Sequence, residues 1–250
     1  MQIHPYEVRF PKTEHPMDQH EEWFMVDFGE TQEKFRIHEY DRIYQVPGLY
    51  ETVVHDRLEC DSPQVISRML KETLERHQGI SAPLRALDFG AGNGMVGELL
   101  QEELMLDSLV GVDIYKEARA AADRDRPGVY DDYYVLDLAH LAKKDEAALC
   151  RWRFNALVTV AALGFNDICT KAFLKAFNIV EEGAWIAFNI RDKFLESGDR
   201  SGFRDVFEMM MDESLHVLAS RHYRHRVSIP GEPLFYYAVI GRKRKDAAIM

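Results

Sequence analysis

The stretch Ala86 to Leu100, ALDFGAGNGMVGELL, constrains the fold more than any other part of the chain. A short apolar strand runs into Gly90, Gly92 and Gly94 and then straight into a helical pattern. Glycines in that place permit positive φ and let a ligand touch the backbone, while the first helical turn offers N–H groups that no helix carbonyl can satisfy. The segment therefore predicts a nucleotide-type site at the C-terminal edge of a sheet.

The sequence on either side agrees. Apolar runs at 84–89, 108–113, 132–137, 155–161 and 184–190 alternate with helix-like stretches near 94–105, 115–124, 138–150 and 167–181, which predicts a parallel sheet covered by helices on both faces. A last helix near 201–213 precedes two strand candidates, Leu215 to Ser228 and Leu234 to Arg242. With only Pro230, Gly231 and Pro233 as turn residues between them, they should pair antiparallel. Upstream, Asp61 or Ser62 can cap a helix that carries Pro63 in its first turn and stops near Gly79. WFMVDF and KFRIHEY read as a hairpin outside the main sheet, and Pro5, Pro11 and Pro16 mark the first 20 or so residues as an extended arm. The expected division is an arm, hairpin and lid segment over 1–60 and a ligand-binding domain over 61–250.

Charge narrows the partners. With 31 basic against 42 acidic side chains, a net charge of -11, the chain repels a phosphate backbone, so nucleic acid is disfavoured. Cys60, Cys150 and Cys169 are few, odd in number and far apart, which suits a reducing compartment, and no Cys/His spacing suggests zinc or another metal. No signal-peptide pattern opens the chain and no apolar run is long enough for a bilayer, so the expected setting is cytoplasmic, without membrane. The residues leave the oligomeric state, a homodimer included, open.

Three acids stand beside the glycines. Gly92, Gly94 and Gly97 also satisfy the dinucleotide spacing GxGxxG, so glycines alone do not separate a dinucleotide from S-adenosylmethionine (SAM). Asp88, two residues before the first glycine, should repel a pyrophosphate and attract an ammonium group, or else simply hydrogen-bond the loop. Asp113 ends the next strand about 20 residues on, where a carboxylate can accept from both ribose hydroxyls, or cap the helix that follows. Asp137 ends the third strand, in reach of an adenine amino group or, again, as a helix cap.

These residues resemble the class I, seven-stranded SAM-dependent methyltransferases. Asp88, Gly90, Gly92 and Gly94 match that family's acid-x-Gly-x-Gly-x-Gly loop, Asp113 its ribose acid and Asp137 its adenine-side acid. The resemblance spans about residues 84–242 and implies a Rossmann-like α/β sandwich with a mostly parallel seven-stranded sheet and a final antiparallel strand, filled here by LFYYAVIGRK. It also implies that Gly90, Ala91, Gly92 and Gly94 approach the methionine portion of SAM, that Ile114 packs on adenine, that Leu138 lies near Asp137, and that Val160 and Ala161 line the cavity. The chain departs from the family at Phe154-Asn155, where many members carry an acid, and TVAALGF lacks the Asn/Asp-Pro-Pro-aromatic tetrad of amino-methylating nucleic-acid and protein enzymes.

Methyl transfer from a sulfonium is an in-line displacement that positioning alone can accelerate, with a base helping when the acceptor carries a proton. Catalytic candidates at the expected sheet edge are Asn166, Asp167, Asn189 and Arg191, with His55 and Tyr50 in a lid; each has a plain reading as a cap, a packed ring or a surface group. The basic run SRHYRHRVS reads as a solvated edge strand, and Arg242 to Lys245 as a solubilising terminus. The expected function is methyl transfer from SAM to a small-molecule acceptor. A regulatory module that binds SAM without catalysis, and an NAD-dependent oxidoreductase, are the alternatives.

Overall fold

The computed structural model describes residues 5–12, 17–78, 83–164 and 167–249. Its centre is a seven-stranded sheet made of β4 (Leu84–Phe89), β5 (Leu106–Asp113), β6 (Asp132–Val135), β7 (Ala156–Thr159), β8 (Trp185–Arg191), β9 (Leu215–Val227) and β10 (Pro233–Lys243). The strand order is β6-β5-β4-β7-β8-β10-β9. The pairs among β4 to β8 are all parallel, and β10 runs antiparallel to both β8 and β9. This is the expected α/β sandwich with its late antiparallel strand.

Near-continuous apolar strands follow from burial on both faces. Leu87, Phe89, Leu157, Ile186 and Phe188 point to one face, against Phe173 and Phe177 of α6 (Thr170–Ile179) and Phe203 and Phe207 of α7 (Phe203–Met209). Their strand neighbours Ala86, Val158, Trp185 and Ala187 meet Ile66, Met69 and Leu70 of α2 (Ser62–Gln78) and Val96 and Leu100 of α3 (Met95–Glu103) on the other. The alanines Ala118, Ala121 and Ala122 of α4 (Lys116–Asp125) let that helix approach closely, and α5 (Lys143–Cys150) buries Leu149. Gly79, where α2 was expected to stop, lies outside the described residues.

The chain reverses direction across the sheet between β4 and β7, so the loops after β4, β5, β6 and β7 converge on one edge. That crevice is where open α/β sheets hold ligands.

The N-terminal part is more structured than proline content suggested. Glu7–Arg9 is a strand, β1, paired antiparallel with β2 (Trp23–Asp27), which in turn pairs with β3 (Gln32–Arg36). Val8, Phe24, Val26 and Phe35 share a core with Ile43 of α1 (Tyr40–Ile43) and with Val53 and Val54 of a π-helical segment, Glu51–Arg57. This small unit is clamped to the far end of the main sheet. Arg226 donates to the Glu22 carboxylate at 2.5 Å, both side chains being buried, and Ile229 N donates to the other oxygen of Glu22.

Two basic segments are therefore not what their composition implied. Arg226 is a buried ion-pair member and not a solvated charge, because the N-terminal unit covers that end of β9. Lys243 is also buried. Its Nζ donates to Phe177 O at 2.9 Å and Val180 O at 2.7 Å, closing carbonyls at the C-terminal end of α6 where a cation is favoured.

Candidate active site

Backbone geometry makes the glycine loop. Gly90, Gly92 and Gly94 all have positive φ, +79°, +53° and +85°, so each occupies a region that other residues adopt at a cost. At Gly92 a Cβ would lie 2.5 Å from Tyr44 Oη, so a side chain there would collide with the tyrosine seated on the loop.

A cavity of about 150 Å³ opens beside the loop. Gly90, Asp113, Ile114, Asp137, Leu138, Val160 and Ala161 all border it, so seven of the residues that the resemblance assigned to cofactor binding share one wall system. Tyr40, Tyr44 and Tyr50 form part of its lining, with Tyr40 and Tyr44 stacked at 6.0 Å between ring centroids. Asp167 completes the rim. Ile114 is 53% exposed, an apolar side chain standing at the mouth without a protein partner to bury it.

The acids differ in what they do. Asp113 accepts from Gly92 N at 2.9 Å and from Tyr115 N at 3.0 Å, so one carboxylate fixes the glycine loop and the start of α4 together. Burial raises its pKa, and those backbone N–H bonds oppose the rise. Asp137 accepts from Ala139 N at 2.8 Å and pairs with His140 at 2.7 Å, which holds its carboxyl below the usual range. The capping geometry open to it is thus realised, while the side chain still borders the cavity.

Asp88, like Ala91, Gly92 and Gly94, does not border the cavity, whereas Gly90 does. Asp88 is 1% exposed and lies beneath the loop, where Tyr130 Oη donates to its Oδ2 at 2.7 Å. Its Oδ1 is buried and has no hydrogen-bond partner among the described residues. Loss of solvent pushes this carboxyl up to about 7.

The catalytic candidates separate. Asp167 borders the cavity, and His38 Nδ1 lies 3.0 Å from its Oδ2. Asn189 is fully buried: its Oδ1 accepts from Ala161 N at 2.6 Å and its Nδ2 donates to Ser62 Oγ and Tyr223 Oη. That network holds the end of β7 in place and leaves Asn189 away from the cavity. Arg191 closes β8 away from the cavity lining, and His55 borders a smaller adjoining pocket of about 30 Å³ beneath Gly90 to Asn93, bonded to Gln64. Asn166 lies outside the described residues.

Sequence reasoning missed His38, Tyr40, Tyr44 and Glu51. Glu51 Oε1 accepts from Asn93 Nδ2 at 2.6 Å and from Arg126 at 2.8 Å, tying the π-helical segment to the glycine loop. None of the four belongs to a motif; the cluster of tyrosines at 40, 44 and 50 was the one local signal of a packed cover.

The order of the seven strands, with β10 antiparallel between β8 and β9, decides the fold. The chain has the class I SAM-dependent methyltransferase fold. The N-methyltransferase NodS from Bradyrhizobium japonicum WM9, solved with S-adenosyl-l-homocysteine, superposes with a TM-score of 0.54 at 12% identity, over 83% of this chain and 97% of that one. The [4+2]-cyclase SpnF superposes with a TM-score of 0.50 at 14% identity, over 73% and 83% of the two chains. No protein-family profile and no curated protein matches the chain. No described helix is long and apolar enough to cross a membrane.

Proposed function

We propose that this chain binds SAM in the cavity beside Gly90 to Gly94 and transfers the methyl group to a small-molecule acceptor. One observation carries the reading: the cavity is bordered by three carboxylates, Asp113, Asp137 and Asp167, and by no lysine or arginine among the described residues. A pyrophosphate would meet carboxylates there with no lysine or arginine to receive it, whereas a ligand with a sulfonium and an ammonium group would be attracted. This argues against a nicotinamide dinucleotide, which the spacing of Gly92, Gly94 and Gly97 had left open.

The residues fit the group. Asp113 keeps lone pairs for ribose hydroxyls after accepting two backbone N–H bonds, and Ile114 and Leu138 offer apolar surface for adenine beside Asp137. Gly90 and Ala91 would meet the methionine portion. Asp88 would act on it through the field, with its unpartnered Oδ1 favouring positive charge above the loop. Bound there, SAM supplies an electrophilic methyl on sulfur. The chain's own contribution is to orient the ligand through Asp113, to exclude water with Tyr40, Tyr44 and Tyr50, and to leave open the side towards Asp167.

The test is calorimetry of SAM and S-adenosylhomocysteine (SAH) with wild type and Asp113→Ala. Binding that weakens about 5- to 150-fold in the variant, equivalent to about 1–3 kcal/mol for a buried hydrogen-bonding group left without its partner, supports the reading. Binding of NAD in place of both ligands overturns it. A second reading, SAM binding without methyl transfer, is favoured by one fact: the [4+2]-cyclase SpnF shows that this fold also carries another reaction. Labelled methyl appearing on small molecules, on macromolecules or on neither distinguishes the three outcomes.

A further inference from the structure

A second pocket, about 30 Å³, adjoins the cavity and shares Tyr40, Tyr50, Ala161 and Asp167 with it. Its remaining polar walls are Gln19, His38, His225, Arg226 and Tyr236. They come from the N-terminal unit, from the loop after β3 and from β9 and β10, so three distant parts of the chain are spent on enclosing a space the size of one small functional group.

The charges in this pocket are arranged. Arg226 is neutralised by Glu22. His225 is held neutral, since burial and the charges of Arg226 and Arg191 drive it well below the histidine range. Asp167 is the acid left facing the space, and His38 Nδ1 lies 3.0 Å from its Oδ2, with Tyr40 Oη at 3.3 Å. A carboxylate on Nδ1 fixes the N–H there and makes Nε2 the basic nitrogen. Gln19 is also buried. Its Nε2 donates to Tyr236 Oη at 3.2 Å, while its Oε1 has no partner among the described residues. A buried acceptor in that state is open to a hydrogen donor that enters the pocket.

Building on the methyl-transfer reading, we infer that this pocket receives the nucleophilic nitrogen of an amine acceptor, with His38 as its general base, Asp167 positioning His38, and Gln19 Oε1 accepting a second N–H. An alcohol brings one hydrogen and cannot serve both His38 and Gln19; an amine can. The amine enters as an ammonium ion and gives one proton to His38 Nε2, which frees its lone pair. That pair forms the new nitrogen–carbon bond as the methyl–sulfur bond breaks, and the electrons of the broken bond stay on sulfur as a neutral thioether. The methylated amine leaves as an ammonium ion, and the imidazolium, stabilised by Asp167, returns its proton to solvent.

The experiment uses the full chain with labelled histidine, saturated with SAH, and follows the His38 ring by NMR, assigned by its loss in His38→Gln. Titration with methylammonium chloride is expected to move the His38 signals saturably, methanol at least tenfold less effectively, and Gln19→Leu to remove the methylammonium response. The nitrogen spectrum should show the proton on Nδ1, shift towards the other tautomer in Asp167→Asn and return in Asp167→Glu. With labelled SAM and a panel of primary and secondary amines, His38→Gln should lower kcat about 100-fold or more, the range of general-base catalysis, with KM for SAM changed less than twofold. SAH binding with no His38 response to either probe, or a proton on Nε2, overturns the pocket assignment while the SAM reading stands. A stronger response to methanol overturns the amine, unchanged kcat in His38→Gln or no turnover across the panel overturns the base, and absence of SAH binding removes both readings.

Discussion

Replacing Asp88 with asparagine should change how stability depends on pH, and the size of the change can be worked from its surroundings. The carboxyl titrates near 7 in the folded chain because it is buried, against about 3.9 when unfolded. Between those values the folded state binds the extra proton, so stability falls as pH rises through the window and levels off above the folded pKa. Evaluating the two titrations at pH 5 and pH 8 gives a loss of about 2.5 kcal/mol from this one group. Asparagine keeps the Tyr130 bond, through its carbonyl oxygen, and cannot ionise. Urea unfolding of both proteins without ligand at pH 5 and pH 8 isolates the effect: the stability of Asp88→Asn relative to wild type should rise by about 2–3 kcal/mol across that interval. A difference constant within about 0.5 kcal/mol would show that Asp88 ionises as it does in water, and would refute the claim that the loop rests on an unsolvated acid.

Three other perturbations follow from contacts described above. Gly92→Ala places a Cβ against Tyr44 Oη at a positive φ, and should cost about 1–3 kcal/mol in thermal unfolding while weakening SAH binding measured by calorimetry. Glu22→Leu leaves Arg226 charged and buried, and should cost about 3–5 kcal/mol; the double variant with Arg226→Met should recover most of it in chemical denaturation. Lys243→Met removes a buried cation from the carbonyls closing α6, and should lower stability by about 2–3 kcal/mol with no change in SAH affinity.

The main sheet was legible because its signals are local. A strand buried on both faces reads as an apolar run, and a helix N-terminus after glycines reads as a ligand loop, without reference to any distant residue. The same locality explains why Asp113, Asp137, Val160 and Ala161 were found at the cavity: strand ends map to one sheet edge once the alternation is known. Asp88 shows the limit. Its place two residues before Gly90 suggested a side chain facing the ligand, but the carboxyl lies buried outside the cavity lining, bonded to Tyr130. His38, Tyr44 and Gln19 carry no local pattern, since their place at the site comes from how a small N-terminal sheet docks onto a larger one. Lys243 and Arg226 misled for the same reason, each being buried by a segment far away in sequence.

The bond between Gln19 and Tyr236 joins residues 217 positions apart, and the pocket inferred to take an amine is walled by both. During synthesis the glycine loop and its neighbouring strands emerge with all their own partners, whereas the pocket stays unmade until β9 and β10 leave the ribosome. The larger cavity thus draws most of its walls from strand ends that lie close together in sequence, whereas the smaller pocket closes only through contacts of high sequence separation, the kind that form slowly.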